Sequence, residues 1–282
     1  MIRGAADHLI CRRPCISCAN RNGAMPSTLS PDQLARQAER ELKAAANVRT
    51  ARRAKFYFKP GEEVWLFGVD TPAQRRIACD LFQRVRGGWE IAEAVEFCDL
   101  LIRRREMEMK NTGIFLLARY RKSFGKGLLR NVESWLANDY CANWATTDAL
   151  CGEVLGPLVR QHPALTSKLK TWTGKRNLWL RRASAVGIIH FARRGEQLDD
   201  AYAIAASLFK YPEDLIHKAT GWMLREAGKP DPARLEGFLL EHGPKIPRTT
   251  LRYAIERFPQ EKRKTLLEKT KGEYSALAKW MS

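Results

Sequence analysis

From Pro31 onward apolar residues recur three and four positions apart, and scarcely any stretch alternates apolar with polar over a strand's length. That periodicity predicts an all-α chain. Helices are expected over residues 31–48, 71–86, 89–105, 113–124, 126–137, 143–160, 165–173, 178–193, 198–210, 213–227, 232–241, 248–257 and 259–270. The breaks between them fall at Gly195, Pro212, Gly228 with Pro230, Asp231 before Pro232, and Gly243 with Pro244.

A weak internal repeat runs through the second half. Arg182-Ala183-Ser184 returns as Lys218-Ala219-Thr220, 36 residues on, and Tyr253-Ala254-Ile255 follows 35 residues later. A period in the mid-thirties, built of two helices and two turns, is the mark of an α-solenoid, where each helix pair buries its apolar face on its neighbours. Tetratricopeptide and ankyrin signatures are absent, so the array is read as HEAT-like. Equivalent helices of such an array line one concave face, which would then carry Arg182 and Lys218. The helical-repeat domain is placed at residues 27–272, between an N-terminal extension (1–26), expected to be disordered, and a C-terminal tail (273–282).

Charge sharpens this picture. The 282 residues hold 49 Lys and Arg against 31 Asp and Glu, a net charge of +18, which makes a polyanion the expected partner. No apolar run approaches the ~20 residues a membrane span needs. The first 24 residues carry Arg3, Arg12, Arg13 and Arg21 without an apolar core, unlike a secretory signal; they read as an Arg-rich transit sequence or as an extension upstream of Met25. Seven cysteines, an odd number, point to reduced thiols and a cytoplasmic location.

Cys11, Cys15 and Cys18 have the spacing of an iron–sulfur motif found in radical enzymes that use S-adenosylmethionine. That chemistry needs a β/α barrel after the motif, and a helical array follows here, so these are read as chance cysteines. Neither Gly125-Lys126 nor Gly174-Lys175 has the earlier glycine of a phosphate-binding loop. His8, His162, His190, His217 and His242 never pair at helical spacing, and Cys79, Cys98, Cys141 and Cys151 read as small buried side chains. No metal and no cofactor, nucleotide cofactors included, is expected. Trp144 and Asp148 lie one helical turn apart, which sets a carboxylate beside an indole; alone, the pair fits a structural role as well as a functional one. Trp222 lies four residues after Lys218 and three before Arg225, an arrangement suited to clamping a sugar–phosphate backbone. Trp89, Trp172, Trp179 and Trp280 read as packing residues.

Several of these stretches together resemble the DNA alkylation repair family of AlkD-like glycosylases. They are Phe56-Tyr57-Phe58-Lys59; Trp65 to Pro72 with Arg75; Trp144 to Asp148; Asn177 to Ala183; and the most specific, Lys218 to Glu226. The resemblance runs in order from about Ser30 to Phe258 and leaves the first 24 residues without a counterpart. It implies a HEAT-like solenoid holding duplex DNA in a concave basic groove. It also implies hydrolysis of the N-glycosidic bond of cationic alkylpurines such as 3-methyladenine and 7-methylguanine while the lesion stays stacked; the enzyme is expected to be monofunctional and to act as a monomer. Carried over, Asp148 is the catalytic carboxylate, Trp144 and Trp222 touch the sugar, and Arg182 is the motif arginine. Tyr57, Thr71 and Arg75 fall at backbone contacts, and Lys218 and Arg225 join the DNA-binding face. Ala145 departs from the family motif, which has an acidic residue there. The competing reading is a non-catalytic helical-repeat DNA-binding or scaffold protein.

Overall fold

A computed structural model describes residues 29–271 of the chain. The expectations for residues 1–26, for Cys11, Cys15, Cys18 and His8, for Trp280 and for the tail 273–282 lie outside the described residues. Those described form sixteen α-helical segments with short 3-10 turns, and no strand beyond one isolated bridge between Trp65 and Glu106. The fold is an all-α helical repeat.

The helices stand in two rows. A front row runs through α3 (Thr71–Val85), α5 (Met107–Leu117), α7 (Trp144–Leu150), α10 (Leu178–Val186), α13 (Asp214–Ala227) and α15 (Arg248–Ala254), each packed on the next. Behind it stand α1 (Pro31–Ala44), α4 (Ile91–Ile102), α6 (Leu128–Ala137), α9 (Thr166–Trp172), α12 (Leu198–Leu208), α14 (Pro232–His242) and α16 (Gln260–Lys269). A continuous apolar core, from Leu34 to Leu266, fills the space between them. Polar pairs stitch the back row in sequence: Trp135 Nε1 donates to Asp99 at 2.8 Å, Trp172 Nε1 to Glu133 at 3.1 Å, and Lys170 pairs with Asp200, Arg234 with Asp199 and Lys262 with Glu236. The front row has its own rungs, Asn111 to Gln74 at 3.0 Å and the Thr250 hydroxyl to the His217 carbonyl at 3.1 Å. The mid-thirties period is thus the register in which successive repeats hydrogen-bond.

Most expected helices are present; one helix is unforeseen and three expected ones differ, each for a physical reason. α2 (Val48–Lys55) was not foreseen, because VRTARRAK buries no residue and so shows no apolar stripe. The helix expected from Gly113 starts six residues earlier; Gly113 lies within α5, against Cys98 and Leu101 of α4. The segment 178–193 breaks near Gly187 into α10 and a short α11 (Ile189–Ala192). Residues 143–160 form one helix whose middle, Cys151–Leu155, opens into a π-turn before α8 (Gly156–Gln161). Trp89 and Trp172 are buried in the core and Trp179 packs on it. Cys98, Cys141 and Cys151 are fully buried, while Cys79 is half-buried.

Candidate functional site

Asn143 caps α7, its side chain accepting from the Thr146 amide at 2.8 Å, and Asn177 caps α10 through the Trp179 and Leu180 amides. The two caps fix where each helix starts, and so set Asp148, on the second turn of α7, opposite Arg182, on the second turn of α10. Arg182 grips the carboxylate with two parallel bonds, Nε to Oδ1 at 2.8 Å and Nη2 to Oδ2 at 2.7 Å. Its third nitrogen, Nη1, donates to the Leu215 carbonyl of α13 at 2.7 Å. The arginine side chain is 6% exposed and the aspartate 19%, so the pair is largely withdrawn from solvent and the aspartate keeps the larger accessible share. Burial raises the Asp148 carboxyl above the usual aspartate value, and the charge and hydrogen bonds of Arg182 oppose that rise.

Arg182 was expected as a cation on the concave face beside Lys218. With all three nitrogens engaged and the side chain buried, it acts on Asp148 and ties three front-row helices together. Trp144, one turn before Asp148, is half-buried, its ring 5.6 Å from that of Phe58. Trp222 is two turns beyond Leu215 on α13; it packs on the core with its indole N–H buried and unpartnered. Next to it, Gly221 lets α15 approach closely, since a Cβ there would meet the Tyr253 side chain and the Thr250 carbonyl.

The remaining expected DNA contacts are placed less uniformly. Arg75 lies over the Phe115 ring at 4.1 Å and pairs with Glu153 of the π-turn at 2.5 Å. Lys218 pairs with Asp214 at 2.8 Å, a bond that raises the lysine's pKa, and Lys59 reaches the same carboxylate at 3.7 Å. Arg225 is held by Glu226 and Glu256 at the α13–α15 boundary and is 17% exposed. Thr71 is exposed at the first turn of α3, and Tyr57 is exposed in the loop after α2.

Sequence reasoning picked out Tyr57 and its neighbours by resemblance but missed the helix before them, α2, and its cations. Residues 47–69 form a strap along the starts of α3, α5, α7 and α13. Asn47 N–H donates to the Phe67 carbonyl, Met107 N–H to the Trp65 carbonyl, and buried Glu108 accepts the amides of Phe67, Gly68 and Val69 at 2.8–3.2 Å. Gly68, at φ 85°, has no room for a Cβ against the Asn47 carbonyl. On this strap Arg49, Arg52, Arg53 and Lys55 of α2 stand beside exposed Phe56 and Tyr57, and none of the four cations has an ion-pair partner among the described residues. The signal was present as four cations within seven positions, but no apolar period marked it.

Among the described residues no helix is long and apolar enough to cross a membrane, and no cluster of three or more His, Cys, Asp or Glu side chains could hold a metal. No match was found among curated protein sequences. A solved structure from Enterococcus faecalis, described as a predicted DNA alkylation repair enzyme, superposes with a TM-score of 0.67 at 18% identity, covering 76% of this chain and 97% of that one. The family model for DNA alkylation repair enzymes matches residues 38–258, most of the two-row array together with the strap and both partners of the Asp148–Arg182 pair. The chain belongs to the DNA alkylation repair enzyme family.

Proposed function

We propose that the protein is a monofunctional DNA glycosylase that removes cationic alkylpurines, 3-methyladenine and 7-methylguanine, from duplex DNA and so begins base excision repair. The observation that carries this reading is the Asp148 carboxylate, held on both oxygens by Arg182 and 19% exposed, with Trp144 one turn earlier on its own helix and Trp222 on α13, the helix to which Arg182 also bonds. An alkylated purine already bears positive charge, so it leaves with the electron pair of its C1′–N bond and needs no general acid. Charge then develops on the deoxyribose. A fixed carboxylate stabilises that cation and orients the water that attacks C1′, whose proton passes to solvent. Indole faces favour the same charge. The four unpaired cations of α2 and exposed Tyr57 suit the duplex backbone. The enzyme is proposed to work as a monomer in the cytoplasm, without metal or cofactor.

One observation favours the non-catalytic reading: Arg182 touches both oxygens of Asp148, as a purely structural bridge would. Incubation with methylated duplex DNA decides between them. Free 7-methylguanine supports the glycosylase, and its absence with intact duplex binding supports the scaffold.

A further inference from the structure

Arg75 differs from the other cations expected on the DNA face. Arg182 is buried, Arg225 is held at a helix boundary, and Lys218 is paired with a carboxylate on its own helix, one turn away. The Arg75 side chain is 38% exposed, and its partner Glu153 comes from a segment 78 positions away. The Phe115 ring lies 4.1 Å from the guanidinium carbon, and Nη2 alone meets Glu153, so the group has donors left for an anion's second oxygen. Carboxylate and phosphate are interchangeable in that respect, and an ion pair this exposed is weakly held.

Glu153 owes its place to the π-turn. On an unbroken α-helix at about 3.6 residues per turn it would lie roughly 140° around from Asp148. The wider turn over Cys151–Leu155 reduces that offset and brings a second carboxylate toward the face of the first. A surface meant only to attract DNA would not carry a negative charge there.

We infer that Glu153 is an affinity-limiting residue, withholding Arg75 from the phosphate backbone so that the protein does not cling to undamaged duplex. This rests on the DNA-repair reading of the groove. Removing the carboxylate charge releases Arg75 to form one additional phosphate contact. Each such contact adds about 0.9 to the slope of log K against log salt, equivalent to about fivefold in affinity at about 0.15 M salt.

The test is the binding of the full chain to an undamaged duplex oligonucleotide across a salt series, for wild type, Glu153→Gln, Arg75→Ala and the double variant. Glu153→Gln should bind about fivefold tighter at about 0.15 M salt with a slope steeper by about 0.9. Arg75→Ala should leave the wild-type slope in place and abolish the gain in the double variant. An unchanged slope in Glu153→Gln would overturn the inference. So would a shallower slope in Arg75→Ala alone, a result that does not depend on Glu153→Gln folding. A wild type that binds no duplex at any salt concentration would instead overturn the DNA-repair reading, and the inference with it.

Discussion

Replacing Asp148 with Asn deletes one charge at constant size, and the Arg182 geometry sets its consequences. The wild-type pair has two charge-assisted bonds at 2.7 and 2.8 Å between side chains that are 6% and 19% exposed. Asparagine keeps one acceptor oxygen and turns an N–H₂ toward another N–H donor. Breaking a buried ion pair by removing one partner costs about 3–5 kcal/mol. The 19% exposure of Asp148, the retained oxygen and the surviving Leu215 bond place this case near the lower end, about 3 kcal/mol. For a fold of this size that lowers Tm by roughly 6–12 °C. The rate of 7-methylguanine release should fall about 10²- to 10³-fold, the loss expected for one preorganised electrostatic group. Stability and chemistry therefore fall together and must be separated. Adding Arg182→Gln removes the stranded charge, so the double variant should regain most of the Tm while its single-turnover release stays low. Folded double variant with near-wild-type release would refute catalysis by Asp148, and an unchanged Tm in Asp148→Asn would refute the energetic role given to the pair.

Other perturbations test neighbouring parts of the argument. Arg182→Gln leaves the burial of Asp148 unopposed and so raises its pKa further; the acid limb of the pH–rate profile should move to higher pH, whereas an unmoved limb would separate the titrating group from Asp148. Gly68→Ala should destabilise by at least about 1–3 kcal/mol from its left-handed backbone alone, seen as lower urea resistance, and should weaken DNA binding because the strap shifts. Arg49→Ala and Arg53→Ala should each make the salt slope of duplex binding shallower by up to about 0.9, as unpaired cations would. Lys218→Ala should do less, because Asp214 already balances that charge; equal slope changes at all three would mean that the ion pairs are irrelevant to binding.

What could be read from the chain and what could not divide along a physical line. The repeat was legible because Arg182, Lys218 and Tyr253 occupy related places on α10, α13 and α15, and each repeat must bury a similar face. Asp148 beside Trp144 was legible because one helical turn is a local relation. α2 was hidden, since its residues bury nothing and periodicity reports burial alone. The π-turn leaves no mark in the pattern either, because its extra residue shifts the phase in mid-helix. Phe58 against Trp144, Glu108 under three strap amides and Glu153 against Arg75 join positions roughly 40 to 90 apart. Nothing local foretells such pairs. The resemblance identified Arg182 but not its task, which depends on how far it is buried.

The register between repeats also governs how the array comes apart. Its cross-links, Asp148 with Arg182, His217 with Thr250, Arg193 with Glu226, each span one repeat and no more. Opening the chain at one end therefore breaks the bonds of the last repeat and leaves the others intact. Amide hydrogen exchange should be fastest in α16, which buries only Leu266, and slow in α10, whose residues Leu180 to Val186 are all buried. Since few contacts await distant partners, nucleation can begin at several repeats and spread by neighbour addition. The strap and the Arg75–Glu153 pair are exceptions. Through Phe58 and Lys59 the strap touches α7 and α13, so it docks only after the central repeats have formed, and the surface that carries α2 is completed last.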